Sequence, residues 1–92
     1  MTVIGVYIHA TSMTDEQYHA INEKLMTTSG GEPDGLIMHS CFREGEGLAV
    51  FDVWESQEKF EAMAPVLMPI VAEANAELGP PQFVEMVDYV VP

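Results

Sequence analysis

The chain has 92 residues, a length that fits one domain with a core of limited size. Fifteen Asp and Glu against three Lys and Arg leave a formal charge of −12. That balance lacks the basic footprint that nucleic acid and anionic membrane surfaces require, so neither is expected as a partner. Cys41 is the sole cysteine, so no disulfide can close within the chain, and a reducing, cytoplasmic setting is expected.

Residues 3–9 read as the first strand, with Ile4, Val6 and Ile8 on one face and Val3, Gly5, Tyr7 and His9 on the other. Bulky apolar groups on both faces imply that both are covered. The stretch has no basic residues before it and is too short to span a bilayer, so it reads as a strand and not as a signal or anchor. Thr14-Asp15-Glu16-Gln17 is a capping box, with two acids at the positive end of the helix dipole. Tyr18, Ile21 and Leu25 follow at helical spacing, interrupted by Asn22, until Ser29-Gly30-Gly31 ends the helix. Residues 36–42 and 48–54 form two further strands around the turn at 43–47, an expected hairpin. Ser56 caps a short helix, with Glu58 in its first turn. Pro65 is expected to break it, and a second helical piece follows over residues 66–78, with Pro69 in its first turn and Gly79 as its stop. Residues 82–91 make the last strand.

The order β-α-β-β-α-β is the ferredoxin-like arrangement, an α+β fold in which a four-stranded antiparallel sheet carries its helices on one face. The other sheet face keeps large apolar side chains that nothing in this chain covers. A second copy would cover them, so a homodimer is expected.

Gly35-Leu36-Ile37-Met38-His39, then Gly47, then Asp52-Val53-Trp54-Glu55-Ser56, Phe60 and a helix containing Leu67-Met68-Pro69 resemble the small dimeric α+β barrels of the antibiotic-biosynthesis-monooxygenase-like family. The resemblance covers nearly the whole chain. It implies a dimeric α+β barrel, with functions ranging over cofactor-free quinone-forming monooxygenases, heme-degrading enzymes and polyketide cyclases. Heme-degrading members place a Trp and a His where this chain has Met63 and Glu73, so heme degradation is not expected. A Pro-x-His-Asn-like final strand, frequent among relatives, is replaced by Met86-Val87-Asp88-Tyr89.

A two-residue turn at Gly45-Glu46 pairs Arg43 with Leu48, Cys41 with Val50, His39 with Asp52 and Ile37 with Trp54. His39 and Asp52 then become cross-strand neighbours, and an Asp can fix the tautomer of a His and raise its basicity, as a general base needs. A slip of one residue would put the two on opposite faces. Tyr7, His9, Trp54 and Met63 are the expected pocket residues around this pair, Trp54 as an aromatic wall with an N–H donor and Tyr7 as a donor to a ligand carbonyl. Each also has a plain packing reading, and His19 is expected in solvent. His39-x-Cys41 offers two soft donors, yet strand neighbours two apart make a poor closed site, so no metal is expected. Cys41 lacks the adjacent cation that activates a thiol. No Gly-rich phosphate loop follows a strand, and no cofactor is expected. Seven Met residues suit an adaptable apolar interior.

Three functions follow. One is a cofactor-independent monooxygenase or cyclase acting on an aromatic or polyketide-like small molecule, with His39 and Asp52 handling protons. The alternative is a non-catalytic, ligand-binding or stress-related dimeric module. A protein–protein adaptor is a third, weaker option and needs an exposed apolar patch.

Overall fold

A computed structural model describes residues 2–91. Its elements run β1 (Ile4–Ala10), α1 (Asp15–Ser29), β2 (Leu36–Glu44), β3 (Gly47–Trp54), α2 (Gln57–Glu73) and β4 (Gln82–Glu85). The strands form one antiparallel sheet in the order β2-β3-β1-β4, the ferredoxin-like topology expected.

The local signals explain most boundaries. Thr14 accepts from the Gln17 N–H and the Gln17 side chain accepts from the Thr14 N–H, so the capping box starts α1. Gly30, at φ 73°, ends it: Gly30 N–H reaches Thr27 O and Gly31 N–H reaches Met26 O. Gly45 alone of the two hairpin loop residues has a positive φ, as a type II′ turn requires.

Three expectations are corrected. α2 is one continuous helix through Pro65 and Pro69. The two prolines lie four residues apart on the exposed side, where water can satisfy the carbonyls of Glu61 and Pro65 that lose their donors. The helix ends at Glu73, with Asn75 and not Gly79 as its stop. Asn75 takes φ 59°, and Ala76 N–H bonds Val71 O while Asn75 N–H bonds Ala72 O. Gly79 instead bonds the His9 carbonyl, so closely that a Cβ there would sit 2.8 Å from that oxygen. β4 covers only residues 82–85, because β1 offers it partners only from Ile4 to Tyr7. Asp88 and Tyr89, expected in that strand, lie beyond it.

The helices cover the face of the sheet that carries Ile4, Val6, Ile8 and Ala10 of β1 and Leu48, Asp52 and Trp54 of β3. Ile4, Val6, Ile8, Trp54 and Phe60 form one buried cluster. Ala10, Met13, Ile21, Leu48, Ile70 and Val71 form another. Trp54 is 1% exposed and meets Phe60 edge to face at 5.7 Å between ring centroids. Such a contact adds about 0.5–1.5 kcal/mol to the burial itself. On the other face Phe51 lies across Gly5, whose missing Cβ leaves the space that Phe51, Val84 and Met86 fill. Phe42 and Val84 remain largely exposed there.

Candidate functional site

Between the sheet and the two helices lies a partly open cavity of about 330 Å³, bordered by both core clusters. Its size falls in the range of roughly 300–1,000 Å³ typical of small-molecule sites. Ile8, Ile21, Leu25, Phe60, Leu67 and Val71 give it an apolar wall, and Met13, Met26 and Met63 supply flexible filling.

Four of the polar side chains on the cavity, Tyr18, His39, Asp52 and Trp54, form one chain. The hairpin register sets His39 opposite Asp52, as the turn length requires, on the helix-covered face. His39 Nδ1 lies 2.6 Å from Asp52 Oδ1. The Trp54 indole N–H, two residues along β3, donates to Asp52 Oδ2 over 3.4 Å. From the facing helix, the Tyr18 hydroxyl lies 2.6 Å from His39 Nε2, its ring stacked within 9° of the imidazole plane. Asp52 is buried and the His39 side chain is 31% exposed, so the chain runs from the interior to the cavity rim.

This arrangement sets the proton inventory. The hydrogen bond to Asp52 holds the His39 pKa above its ordinary 6.5, against the opposing effect of burial and with help from the Asp52 charge. With Nδ1–H directed at Asp52, Nε2 is the lone pair turned toward Tyr18. Burial, then the neighbouring Cys41 and Asp52, push the Tyr18 phenol upward, so it keeps its proton at neutral pH. Burial, followed by Asp15 and Asp52, also raises the Cys41 thiol, opposed by Arg43, so Cys41 is not an activated nucleophile. Among the described residues no three His, Cys, Asp or Glu side chains converge as a metal site. The three cations are each paired, Lys24 with Glu73, Arg43 with Asp15 and Lys59 with Asp34, and none lines the cavity.

Of the residues singled out in the sequence, the structure brings His39, Asp52, Trp54 and Met63 together on this cavity. Tyr7 and His9 are not among them. Their strand positions alternate with Val6 and Ile8, so they point to the opposite sheet face. There the Tyr7 hydroxyl donates to the Glu44 carboxylate, and His9 Nε2 sits 3.4 Å from the same oxygen. The expected pairing of Ile37 with Trp54 is also replaced: the ladder shifts between Leu36 and Met38, and Leu36 faces Trp54. His19 is exposed, as expected.

Sequence reasoning missed Tyr18 as a site residue. The signal was Asn22, one helical turn further on, which interrupts the apolar stripe of α1 and lines the cavity beside it. An amphipathic stripe with a phenol and an amide on its buried side is facing something other than plain core.

No known protein-family profile matches the sequence, and no curated protein matches it. Solved structures do share its fold. SnoaB from Streptomyces nogalater, a cofactor-independent oxygenase, superposes at a TM-score of 0.62 with 12% identity, covering 98% of this chain and 96% of that one. A conserved protein of unknown function from Bacteroides thetaiotaomicron gives 0.64 with 16% identity over 92% and 98%. A protein from Chloroflexus aurantiacus, provisionally named an antibiotic biosynthesis monooxygenase, gives 0.62 with 14% identity over 96% and 97%. At these identities the likeness is one of fold. The chain thus has the fold of the antibiotic-biosynthesis-monooxygenase-like proteins, an α+β ferredoxin-like domain, as the stretch from Trp54 to Phe60 anticipated.

Proposed function

We propose that this chain binds a small aromatic or polyketide-like molecule in the cavity between sheet and helices, and that His39 removes a proton from it. The reaction class is that of a cofactor-independent monooxygenase or cyclase. The observation that carries this reading is the His39–Asp52 pair on the wall of an apolar cavity of about 330 Å³. Both reactions begin when a base takes a proton from an acidic C–H or O–H of the ligand. In a monooxygenase the resulting carbanion meets molecular oxygen, forms a hydroperoxide and loses water. In a cyclase it attacks a carbonyl of the same molecule. His39 supplies the base, Asp52 orients it and stabilises its charged form, and Trp54 fixes Asp52. A lining without Lys or Arg, with Glu32 and Asp52 among its members, favours an uncharged ligand.

A second copy of the chain is the proposed partner. The uncovered sheet face presents Phe42, Phe51 and Val84, and several of its polar side chains are already engaged within the chain: Tyr7 with Glu44, and the Ser40 hydroxyl with the Phe51 carbonyl at 2.7 Å, while His9 Nε2 has no hydrogen-bond partner among the described residues. Such a face can be buried against its own copy without stranding the engaged groups.

One observation favours the non-catalytic alternative, a ligand-binding dimeric module. The Tyr18 hydroxyl already occupies His39 Nε2, which leaves the base satisfied within the protein.

Anthrone tests the choice. Its oxidation to anthraquinone consumes one O2 and releases one water, read by oxygen electrode and by absorbance. Oxygen uptake that depends on His39 supports the enzyme. Saturable binding without uptake supports the module, and neither binding nor uptake removes the cavity from the account.

A further inference from the structure

The hydrogen bond that satisfies His39 is made by a phenol on the protein itself. With Asp52 taking the Nδ1 side, Nε2 is the only imidazole atom left for a ligand, and the Tyr18 oxygen lies 2.6 Å from it. A ligand therefore reaches the base by passing its proton through Tyr18 or by displacing it. Passage through Tyr18 requires phenolate character, which burial opposes first and the neighbouring Cys41 and Asp52 after it. Displacement requires only that Tyr18 move outward. It stands in the first turn of α1, half-buried at the cavity rim, with its ring edge against exposed His19 at 5.4 Å.

We propose that Tyr18 is an internal competitor for His39, a positioning residue whose hydroxyl holds the ligand's hydrogen-bonding place and is displaced by a ligand carrying a phenol or enol O–H. This rests on the cavity being a ligand site, as proposed above. It assigns the site a selectivity. A ligand with an O–H replaces the bond that Tyr18 gives up, while an aromatic ligand without one cannot replace it and binds with the Tyr18–His39 bond still in place. The apolar wall contributes binding to both, and the hydroxyl decides between them.

The test compares the wild type with Tyr18→Phe, which removes one oxygen and keeps the ring. Isothermal titration calorimetry is run with 1-naphthol and with 1-methoxynaphthalene, which has no O–H. Freeing Nε2 strengthens 1-naphthol binding roughly 3- to 10-fold, the size of one net hydrogen bond. Binding of 1-methoxynaphthalene stays unchanged. Nitrogen NMR supplies a signature that a packing role would not move. The His39 Nε2 resonance shifts in Tyr18→Phe and returns toward the wild-type position when 1-naphthol is added. Equal or weaker 1-naphthol binding in Tyr18→Phe overturns the competitor role while leaving the cavity a ligand site. Binding of neither compound to either protein overturns the ligand site itself, and the competitor role with it.

Discussion

The two faces of the sheet use the same strands for opposite ends. In β1, Val6 and Ile8 point toward the helices and Ile8 lines the cavity, while Tyr7 and His9, their alternating neighbours, point to the uncovered side. Each face holds a His near a carboxylate. On the helix side His39 and Asp52 are 2.6 Å apart, with the carboxylate buried and held by Trp54. On the other side His9 lies 3.4 Å from Glu44, with both side chains more than a third exposed. The Asp52 hydrogen bond raises the His39 pKa against the opposing effect of burial, and of the two pairs only this one has a buried acid held by a second donor.

Substitutions that treat the faces differently break or sharpen this contrast. The largest effect is expected at the base: His39→Ala lowers anthrone oxidation about 10²–10⁴-fold. His9→Ala leaves it near the wild-type rate in the same oxygen-electrode assay. Next comes the core of the helix side. Trp54→Ala costs about 3–5 kcal/mol in urea unfolding, because a fully buried indole leaves a void. On the uncovered face Phe42 is 42% exposed, and Phe42→Glu changes unfolding by no more than about 0.5 kcal/mol when the protein is dilute. The same change weakens self-association roughly tenfold or more, since it places a charge in the proposed dimer contact. Sedimentation equilibrium measures that shift toward monomer mass.

The smallest expected effect is in the pH profile. His39 acts as a base only when neutral, and its pKa is raised, so turnover rises with pH through a midpoint above 6.5. Asp52→Asn removes the main cause of the elevation and moves that midpoint to lower pH. Stability runs the other way. A His pKa raised on folding contributes stability that is fully present below 6.5 and is lost as pH rises through the elevated value. The stability difference between wild type and Asp52→Asn should therefore shrink as pH is raised through that window.

Much of this architecture was legible in the residues. The capping box, the Gly30 stop and the Gly45-Glu46 turn are local chemistry, and the turn length fixed the register that joins His39 to Asp52. What escaped depended on packing. Pro65 reads as a break in isolation, but an exposed proline four residues from another leaves its freed carbonyl to water, and the helix continues. Asn75 gave a weaker stop signal than Gly79, yet it takes the left-handed conformation. The ladder shift before Met38 has no turn residue to announce it. Tyr7 and His9 share a strand with the cavity but not a face, because Ile4, Val6 and Ile8, which alternate with them, pack with Phe60 of α2. Tyr18 was hidden because it reads as one more member of the apolar stripe of α1, which only Asn22, one turn further on, interrupts.

The three histidines make the central claim directly measurable, since one lies at the cavity, one on the uncovered face and one, His19, in solvent. Imidazole resonances of all three can be followed by two-dimensional NMR as 1-naphthol is added. The largest movement is expected at His39 and saturates, a smaller one follows at His19, whose ring touches Tyr18, and His9 stays in place. Movement of His9 without His39 would put the ligand on the uncovered face and contradict the assignment of the cavity as the functional site.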